Sequence, residues 1–421
     1  MTVDVLLGSQ WGDEGKGKII HTIADDYDVV ARFQGGPNAG HTIYVNDKKI
    51  ILHHLPSGIV ASTRYNLIGA GMVVDPITLK REIISLTELV DSVKERLLIS
   101  LRAALIMPTH ILLDKASERS KGKSSIGSTQ RGIAPSYMDR TGRNALRMID
   151  IHQKDFEDRY KRLKEKHLKL LKVYEAEDLI SHLEDMEPQW FESIEFLRSF
   201  QFVNDPYLWE SLRDVSVLAE GAQGTMLDIQ WGTYPYVTSS STITGSVAIG
   251  LGIPPSKIRK VIGVAKAYTT RVGNGPFPTE MPEEISEKLR QRGGEYGSTT
   301  GRPRRCGWLD LVALKYATML NGVDELIITK ADVLTDFEPL KVAVEYDLEG
   351  KRIREVVPYL DRVKPIYQEL KPWQQVSLDD ENFMSFIATI EDYLSIPVTM
   401  VSYGPHRDQI LSVKSMGTMA S

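Results

Sequence analysis

The stretch "LLGSQWGDEGKGKII", residues 6–20, starts as an apolar strand and turns into a glycine-rich loop that leads into a helix. It fits the phosphate-binding pattern G-x-x-x-x-G-K-[ST] at Gly12, Gly17 and Lys18, but Ile19 stands where the pattern has a hydroxyl for Mg²⁺. Glycines free backbone N–H groups for an anion, and the helix N-terminus adds a favourable dipole. The stretch therefore predicts a variant phosphate loop with its metal ligand elsewhere, and Asp13 is the candidate.

Seven short apolar runs recur between stretches with a helical pattern. They are "VDVLL" at 3–7, "YDVVARF" at 27–33, "LLIS" at 97–100, "VSVLAEG" at 215–221, "KVIGVAKAY" at 260–268, "ELIITK" at 325–330 and "VTMVSY" at 398–403. Nearly continuous apolar runs are typical of strands buried on both faces. We therefore predict an α/β fold with a large, mainly parallel central sheet flanked by helices. Ligands bind beyond the carboxyl ends of such strands, so the functional loops should follow these runs.

A helical insertion is predicted over about residues 152–213. Apolar and aromatic residues recur there at three-to-four-residue spacing in a Lys/Glu-rich background, at Phe156, Tyr160, Leu163, His167, Leu170 and Tyr174. This spacing is typical of an amphipathic helix that packs by one face. Acidic residues interleave the lysines, so packing on the sheet is favoured over a nucleic-acid arm. Because the sequence has neither a fixed-period repeat nor a linker-like stretch, we expect a single domain over 1–421.

Composition and charge exclude several classes of protein. With 42% hydrophobic and 25% charged residues the chain is of the globular type, and its net charge of −5 argues against a nucleic-acid partner. The one cysteine, Cys306, excludes an intrachain disulfide, indicates a reducing compartment and is given a packing role. The N-terminus lacks a signal pattern, and no apolar run approaches the ~20 residues of a membrane span. We expect a cytoplasmic protein without a membrane partner.

A second glycine-rich loop, "FQGGPNAGHT" at 33–42, also follows a predicted strand. It presents Asn38 and His41 on a turn with a flexible backbone. His41 is suited to donate a proton or a hydrogen bond to a phosphoryl oxygen on which charge develops. The loop therefore predicts a second part of the same site.

The stretch "GSTTGRPRRCGWLD" at 297–310 contains two threonines, three arginines and three glycines. Arginine forks bind carboxylates and phosphates through two parallel hydrogen bonds, and threonine hydroxyls can complete such a pocket. An ordered anion site is favoured over a solvated basic loop, because Trp308 and Leu309 follow at once.

The stretch "LIITKADVL" at 326–334 ends a strand with Thr-Lys-x-Asp, a pattern with which GTP-binding proteins read guanine. The carboxylate of Asp332 can accept from both N1–H and N2–H of guanine, a donor pair that adenine lacks. Lys330 can lie along the base. The pattern is weak alone, but it gains meaning beside a phosphate loop.

The polar stretch "EGAQGTMLDIQWGTYPYVTSS" at 220–240 predicts a further ordered loop. Its polar residues Gln223, Thr225, Asp228, Thr238 and Ser239 stand around three glycines. The histidine pair His53 and His54 is interpreted as structural, because no Cys or His partners stand at metal-site spacing.

Together these motifs resemble the adenylosuccinate synthetase family. "GSQWGDEGKGK", "GGPNAGHT", "IGSTQRGIAPSY", "EGAQGT", "GTYPYVTSS", "STTGRPRR" and "TKADVL" occur in the family's order over nearly the whole chain. The resemblance implies a P-loop-like GTP-binding fold and a homodimer. It also implies a ligase that makes adenylosuccinate, GDP and phosphate from IMP, L-aspartate and GTP with Mg²⁺, on the route from IMP to AMP.

The resemblance also implies residue roles. Asp13 would take the N1 proton of IMP and bind Mg²⁺ together with the Gly40 carbonyl, His41 would donate to the transferred phosphoryl group, Lys16 would steady that group, and Gln223 would lie near O6. GTP would contact Gly12, Asp13, Glu14, Gly15, Lys16, Gly17, Lys18, Arg304, Lys330, Ala331, Asp332, Ser402, Tyr403 and Gly404. IMP would contact Asp13, Lys16, Asn38, Ala39, Gly40, His41, Thr129, Gln223, Thr238, Arg302 and, from the other subunit, Arg143. Aspartate would contact Ser298, Thr299, Thr300, Gly301, Arg302, Pro303 and Arg304.

Three positions depart from the family pattern. Gln130 stands where glycine is frequent, Pro303 interrupts the arginine run, and Tyr403 replaces a small residue in the guanine-side turn. None of the three removes a catalytic group. They bear on the mobility of the loop around Thr129, which the resemblance assigns to IMP, and on the affinity for guanine.

Two alternatives remain open on the sequence. Another GTP- or ATP-dependent ligase or kinase would share the phosphate loop but take a different acceptor. A GTP-binding switch would need that loop and the Thr-Lys-x-Asp, but it has no use for the arginine loop at 297–310 or for "GGPNAGHT". Those two loops favour the ligase.

Overall fold

The computed structural model describes residues 1–45, 48–297 and 301–413. In chain order its strands are β1 Thr2–Gly8, β2 Val29–Arg32, β3 His41–Val45, β4 Lys48–Leu52, β5 Tyr65–Ile68, β6 Val73–Val74, β7 Leu97–Ser100, β8 Ala104–Leu105, β9 Gln201–Val203, β10 Ser216–Glu220, β11 Ile258–Lys266, β12 Thr269–Arg271, β13 Arg305–Gly307, β14 Leu309–Asp310, β15 Glu325–Thr329, β16 Leu340–Leu348, β17 Lys351–Ile353, β18 Val363–Leu370, β19 Val398–Ser402 and β20 Ile410–Ser412. The α-helices are α1 Lys16–Ile23, α2 Pro76–Thr87, α3 Val93–Arg96, α4 Pro108–Lys121, α5 Ile133–Thr141, α6 Phe156–Val173, α7 Leu183–Leu197, α8 Asp205–Ser211, α9 Gly245–Leu251, α10 Glu283–Gly293, α11 Leu311–Asn321 and α12 Glu381–Leu394.

Ten strands form the central sheet, in the order β20-β19-β15-β11-β1-β10-β2-β5-β7-β9. Every neighbouring pair is parallel except β19 and β20. All seven apolar runs become strands of this sheet, and the predicted α/β fold with a large, mainly parallel sheet is confirmed. Helices cover the sheet, as the apolar character of the strands requires.

The central strand β1 is buried on both faces. Val5 and Leu7 belong to an apolar cluster that includes Leu251 of α9, whereas Leu6 belongs to another that includes Ile19 and Ile20 of α1. Burying a side chain of this size stabilises the fold by about 1.5–3 kcal/mol. This two-sided packing holds the end of β1, and with it the phosphate loop, in a fixed position.

The stretch predicted as a helical insertion contains α6, α7 and α8. In α6 the predicted stripe is buried at Phe156, Tyr160, Leu163 and His167. The stretch is not purely helical, because Gln201–Val203 forms β9 and pairs with β7 at the edge of the central sheet. Three residues are too short for a strand period to stand out in the sequence. The interpretation of 1–421 as one domain stays a prediction.

A smaller sheet joins β14, β16, β17 and β18. Its longest pairing, between β16 and β18, is antiparallel, and the sequence analysis did not anticipate it. None of the helices in the described part of the chain combines the length and apolar character that a bilayer crossing requires.

Candidate functional site

The loops that follow five strands of the central sheet open onto one cleft of about 760 Å³. These strands are β1, β2, β10, β15 and β19, and their carboxyl ends meet at one edge because they are parallel. Predicted site residues that line the cleft are Gly12, Asp13, Gly15, Lys16, Gly17, Lys18, Asn38, Ala39, Gly40, His41, Thr129, Gln223, Thr238, Arg304, Lys330, Asp332, Ser402 and Gly404. Motifs as far apart in sequence as Gly12 and Gly404 thus line one cleft.

The phosphate loop is shaped by positive backbone angles. Gly12, Asp13 and Gly15 have φ of 86°, 60° and 81°. Aspartate tolerates this left-handed region better than most residues, which explains a carboxylate between two glycines. The helix α1 starts directly after Gly15 without a side-chain cap on its first N–H groups. Those N–H groups are therefore available to an anion.

Glu14 is buried beneath this loop and holds it together. Its Oε1 accepts from the backbone N–H of Gln10 at 3.1 Å and of Gly12 at 2.9 Å, and its Oε2 lies 2.6 Å from Nζ of Lys16. The carboxylate of Glu14 is therefore engaged by the loop itself, and its side chain does not line the cleft.

Lys16 also reaches the loop after β10. Its Nζ donates to the backbone carbonyl of Gln223 at 2.5 Å. Gln223 itself has a φ of 57°. Its side chain is half-buried, and its buried amide atoms Oε1 and Nε2 have no hydrogen-bond partner among the described residues. Buried amides are normally paired, so this side chain is suited to a ligand in the cleft.

Asp13 is partly exposed to the cleft and pairs with an arginine from the loop at 297–310. Its Oδ2 lies 2.7 Å from Nε of Arg304, whose Nη1 is 2.7 Å from Oε2 of Glu295. Burial would lower the pKa of Arg304, but Asp13 and Glu295 outweigh it and raise the pKa, so the guanidinium stays charged. Asp13 and Gly40 both line the cleft, and a carboxylate and a backbone carbonyl are oxygen ligands of the kind that Mg²⁺ prefers.

His41 is held by a buried carboxylate that the sequence analysis overlooked. Its Nδ1 lies 2.5 Å from Oε1 of Glu220, which also accepts from the Ser57 hydroxyl at 2.8 Å. Burial lowers the pKa of His41 although Glu220 opposes the shift. Burial would raise the pKa of Glu220, but His41 and Arg32 keep it below its usual range. The ring is thus oriented with Nδ1 towards Glu220, which leaves Nε2 for the cleft.

Asn38 and Thr238 are already in contact across the cleft wall. Nδ2 of Asn38 donates to Oγ1 of Thr238 at 3.2 Å. Both groups keep further hydrogen-bonding capacity for a ligand.

The loop that carries Thr129 is anchored on α4 by two buried carboxylates. Asp114 accepts from the hydroxyl of Ser128 and the N–H of Gly132, both at 2.9 Å. Glu118 accepts the N–H groups of Gly127 at 2.8 Å and of Ser128 at 3.1 Å. The loop is thereby placed with Thr129 on the cleft.

Asp332 also lines the cleft, in the segment that follows β15. Its Oδ1 is buried and has no hydrogen-bond partner in the described protein. Lys330, two residues earlier, has a φ of 58°, and its Nζ lies 3.3 Å from Oε1 of Glu295. An unpaired buried carboxylate oxygen is costly unless a ligand supplies a donor.

Lys18 connects the phosphate loop to the turn after β19. Its Nζ donates to the carbonyl oxygens of Tyr403, Gly404 and Gln409, each at 3.0 Å. Burial lowers its pKa to about 8, although the charges of Asp332 and another aspartate oppose the shift.

Some predicted residues lie outside the cleft lining. Arg143 is exposed, with a φ of 62°, on the turn after α5. Gly301, Arg302 and Pro303 are exposed as well. Glu14, Ala331 and Tyr403 contribute nothing to the lining surface. Ser298, Thr299 and Thr300 lie outside the described residues.

The sequence analysis overlooked Arg271, which lines the cleft at the end of β12. Its Nη1 donates to the hydroxyl of Thr233 at 3.1 Å and to the carbonyl of Pro276 at 2.8 Å, and its guanidinium lies 5.7 Å from the Trp11 ring. Burial lowers its pKa to about 9. No motif marks this arginine in the sequence, whereas Glu220 had a signal as a charged residue that ends an apolar strand.

A group of His110, Asp139 and His167 has spacing that fits a metal, but it lies away from the cleft lining. The backbone N–H of Met107 donates to Nδ1 of His110 at 3.0 Å, so the proton of that ring is on Nε2. This N–H then donates to Asp139 at 3.0 Å, and Lys166 also binds Asp139. The group therefore links α4, α5 and α6 by hydrogen bonds.

Cys306 is fully buried, and burial raises its pKa to about 11. A thiol with a raised pKa is inert, which agrees with the packing role expected from the sequence.

Comparisons with known proteins agree with one another over the full chain. The family model described as adenylosuccinate synthetase matches residues 5–411. The adenylosuccinate synthetase of Porphyromonas gingivalis is 48% identical over 419 residues, covering 97% of this chain and 98% of the relative. That of Christiangramia forsetii is 47% identical over 423 residues, covering 98% and 100%. The solved structure of fully ligated adenylosuccinate synthetase from Plasmodium falciparum has a TM-score of 0.91 at 36% identity, covering 98% of this chain and 100% of that chain.

Proposed function

Because the chain belongs to the adenylosuccinate synthetase family and is a GTP-dependent ligase of IMP and L-aspartate, we propose that the cleft described above holds all three substrates. The observation that carries this proposal is the meeting of Asp13, His41 and Gln223 beyond the ends of β1, β2 and β10, which are adjacent in the sheet. A GTP-binding switch has no use for such a centre, and that alternative is not favoured.

The first step activates the C6 oxygen of IMP. Asp13 accepts the N1 proton, which leaves negative charge on O6. O6 then attacks the γ-phosphorus of GTP, forming the O6–P bond as the bond to the β,γ-bridging oxygen breaks and GDP leaves. The partial exposure of Asp13 in the cleft supports its access to N1.

The second step replaces the phosphorylated oxygen. The aspartate amine attacks C6 of the 6-phosphoryl intermediate, loses a proton, and phosphate departs with the electron pair of its bond to C6. Phosphorylation is needed because the unmodified oxygen of IMP is a poor leaving group. The unpartnered amide of Gln223 supports a role in holding O6 through both steps.

His41 and Lys16 act on the transferred phosphoryl group. Binding of the anionic phosphates favours protonation of Nε2 of His41, and Glu220 stabilises the imidazolium that results. Lys16, released in part from Glu14, steadies the same oxygens. Two buried carboxylates, Glu14 and Glu220, thus hold the two groups that meet the phosphate.

GTP extends from the phosphate loop to the turn after β19. The loop from Gly12 to Lys18 supplies backbone N–H groups to the phosphates, and Asp332 accepts from N1–H and N2–H of guanine. Lys330 and Ala331 line the base, and the turn from Ser402 to Gly404 closes its far side. The unpartnered Oδ1 of Asp332 supports this arrangement.

IMP is proposed to contact Asn38, Ala39, Gly40, Thr129, Thr238 and Arg302, besides the reactive groups. Aspartate is proposed to bind the loop from Ser298 to Arg304, where arginine forks suit its two carboxylates. Asp13 and the Gly40 carbonyl would hold Mg²⁺, which supplies charge neutralisation to the phosphates when bound. The single cysteine agrees with a cytoplasmic location.

The functional unit is proposed to be a homodimer in which Arg143 reaches the partner's IMP site. Its exposure, outside the lining of its own cleft, supports this role. Two inactive variants, Arg143→Leu and Asp13→Ala, should regain part of their activity on mixing, because one hybrid site combines two intact halves. No recovery after verified subunit exchange would contradict the shared site.

A direct assay tests the reaction and its site together. Release of phosphate from GTP should require both IMP and aspartate, and Asp13→Ala should abolish it without loss of the folded structure seen by circular dichroism. The exposed Asp336 provides the control, since Asp336→Ala should keep the activity. Release without IMP or aspartate would favour a switch, and activity of Asp13→Ala above a few per cent would remove Asp13 from its role.

A further inference from the structure

A single buried carboxylate, Glu295, lies at the centre of a charged cluster next to the cleft. Its Oε1 accepts from Lys266 at 2.8 Å and from the Tyr268 hydroxyl at 2.6 Å, and it lies 3.3 Å from Nζ of Lys330. Its Oε2 lies 2.7 Å from Nη1 of Arg304. Burial would raise the pKa of Glu295, but the three cations outweigh it and hold the pKa far below its usual range. Glu295 is therefore the shared anion of three cations.

This cluster connects Asp13 with the segment that carries Asp332. Arg304 binds Glu295 through Nη1 and approaches Asp13 through Nε at 2.7 Å. Lys330 lies two residues before Asp332, whose Oδ1 has no partner in the described protein. The reactive carboxylate and the base-reading segment are therefore both connected to Glu295 through one cation each.

We propose that Glu295 is a positioning residue that couples guanine binding at Asp332 to the release of Asp13. The proposal rests on the proposed function of those two residues. When guanine draws Lys330 towards the base, Glu295 loses one of its cations. It then attracts Arg304 more strongly, because charges interact strongly where water is excluded. Arg304 withdraws from Asp13, which becomes free for IMP.

Simple neutralisation of buried cations is the competing role for Glu295. Lys266 is fully buried, and burial lowers its pKa to about 8, so it needs an anion close by. If Glu295 did only this, its loss would lower the thermal stability and weaken the binding of both IMP and GDP. The factor by which GDP changes the affinity for IMP would stay the same. The measurement must therefore report the coupling between ligands.

The test compares IMP affinity with and without GDP by calorimetry. In the parent protein GDP should tighten IMP binding by about five-fold or more. In Glu295→Gln this ratio should fall to about one. Glu280→Gln is the matched control, because Glu280 pairs with the adjacent Arg305 at the surface, and it should keep the parent ratio. If Glu295→Gln does not fold, Glu295→Asp carries the same expectation, since the shorter side chain cannot reach both Lys330 and Arg304.

Two results would overturn the inference: a ratio of about one in the parent, or an unchanged ratio in the Glu295 variants. The outcome is separable from that of the proposed function, because adenylosuccinate formation by the parent is measured first. A parent that makes adenylosuccinate but has uncoupled ligands refutes the inference alone. A parent that makes none refutes the proposed function and, with it, the basis of the inference.

Discussion

Asp332→Asn gives the most specific test of how this protein selects its nucleotide. The parent carboxylate presents one buried oxygen without a partner, and guanine offers the two donors N1–H and N2–H. A hydrogen bond to a charged group contributes about 1.5–3 kcal/mol, and an unpaired buried group costs about 1–3 kcal/mol. The asparagine amide has one acceptor fewer than the carboxylate. Its NH₂ group is a donor and faces a donor of guanine.

The expected loss is therefore about 3 kcal/mol, or about a hundred-fold in kcat/KM for GTP. Xanthine carries an oxygen in place of the 2-amino group, and an asparagine N–H can donate to it. The use of xanthosine triphosphate should rise accordingly. The charge of Asp332 also raises the pKa of Lys18, so replacing Asp332 lowers the fraction of Lys18 that is protonated. This effect weakens the binding of both nucleotides alike. The ratio of the two kcat/KM values removes this common effect.

The assay measures kcat/KM for GTP and xanthosine triphosphate at saturating IMP and aspartate. Asp336→Asn is the control, because Asp336 lies in the same segment, is exposed and has a φ of 51° that asparagine accepts. It should leave the ratio unchanged. If Asp332→Asn also leaves the ratio unchanged, the base is read by other residues and the Thr-Lys-x-Asp motif only ends a strand.

Three further predictions address the histidine, the lysine and the IMP loop. Glu220→Gln should lower kcat by about ten-fold or more with little change in KM for IMP. The glutamine keeps an acceptor for His41 but removes the charge that stabilises its imidazolium form. Equal changes in kcat and KM would indicate that Glu220 only positions His41. The kcat/KM for GTP should fall as pH rises through about 8, since the Lys18 ammonium is present below that pKa and lost above it, and Lys18→Arg should flatten this limb. Gln130 has a φ of 53°, so Gln130→Gly should raise the free energy of unfolding by up to about 1 kcal/mol in denaturant titrations, and a lower value would refute the strain.

The sequence predicted the fold well where burial left a clear pattern. All seven apolar runs became central strands because parallel strands buried on both faces carry few polar residues. The strands β9 and β20 were missed because three residues show no reliable period, and β5 was missed because two of its four residues, Tyr65 and Asn66, carry polar groups. The antiparallel β16 and β18 were missed because their burial is mixed along each strand.

The lining of the cleft was predictable where its residues lie within single motifs. Asp13 and Asp332 could be picked out because each stands in a short pattern. The contributions of Glu220 and Glu295 depend on pairing between distant segments. Glu220, for example, lies in register with Arg32 on the neighbouring strand, and only the folded sheet brings it to His41. A single sequence holds no record of such register.

The missing hydroxyl of the phosphate loop has a structural explanation. Ile19 is fully buried and packs with Leu6 and Ile20 in the apolar layer beneath the sheet, so this position stabilises the fold and cannot serve a metal. The proposed oxygen ligand therefore comes from the exposed part of the loop, where Asp13 carries a carboxylate at a φ of 60°. Under the proposed function this one residue has two tasks, proton acceptance and metal binding. Its ion pair with Arg304 is the contact through which the proposed coupling would act on both tasks.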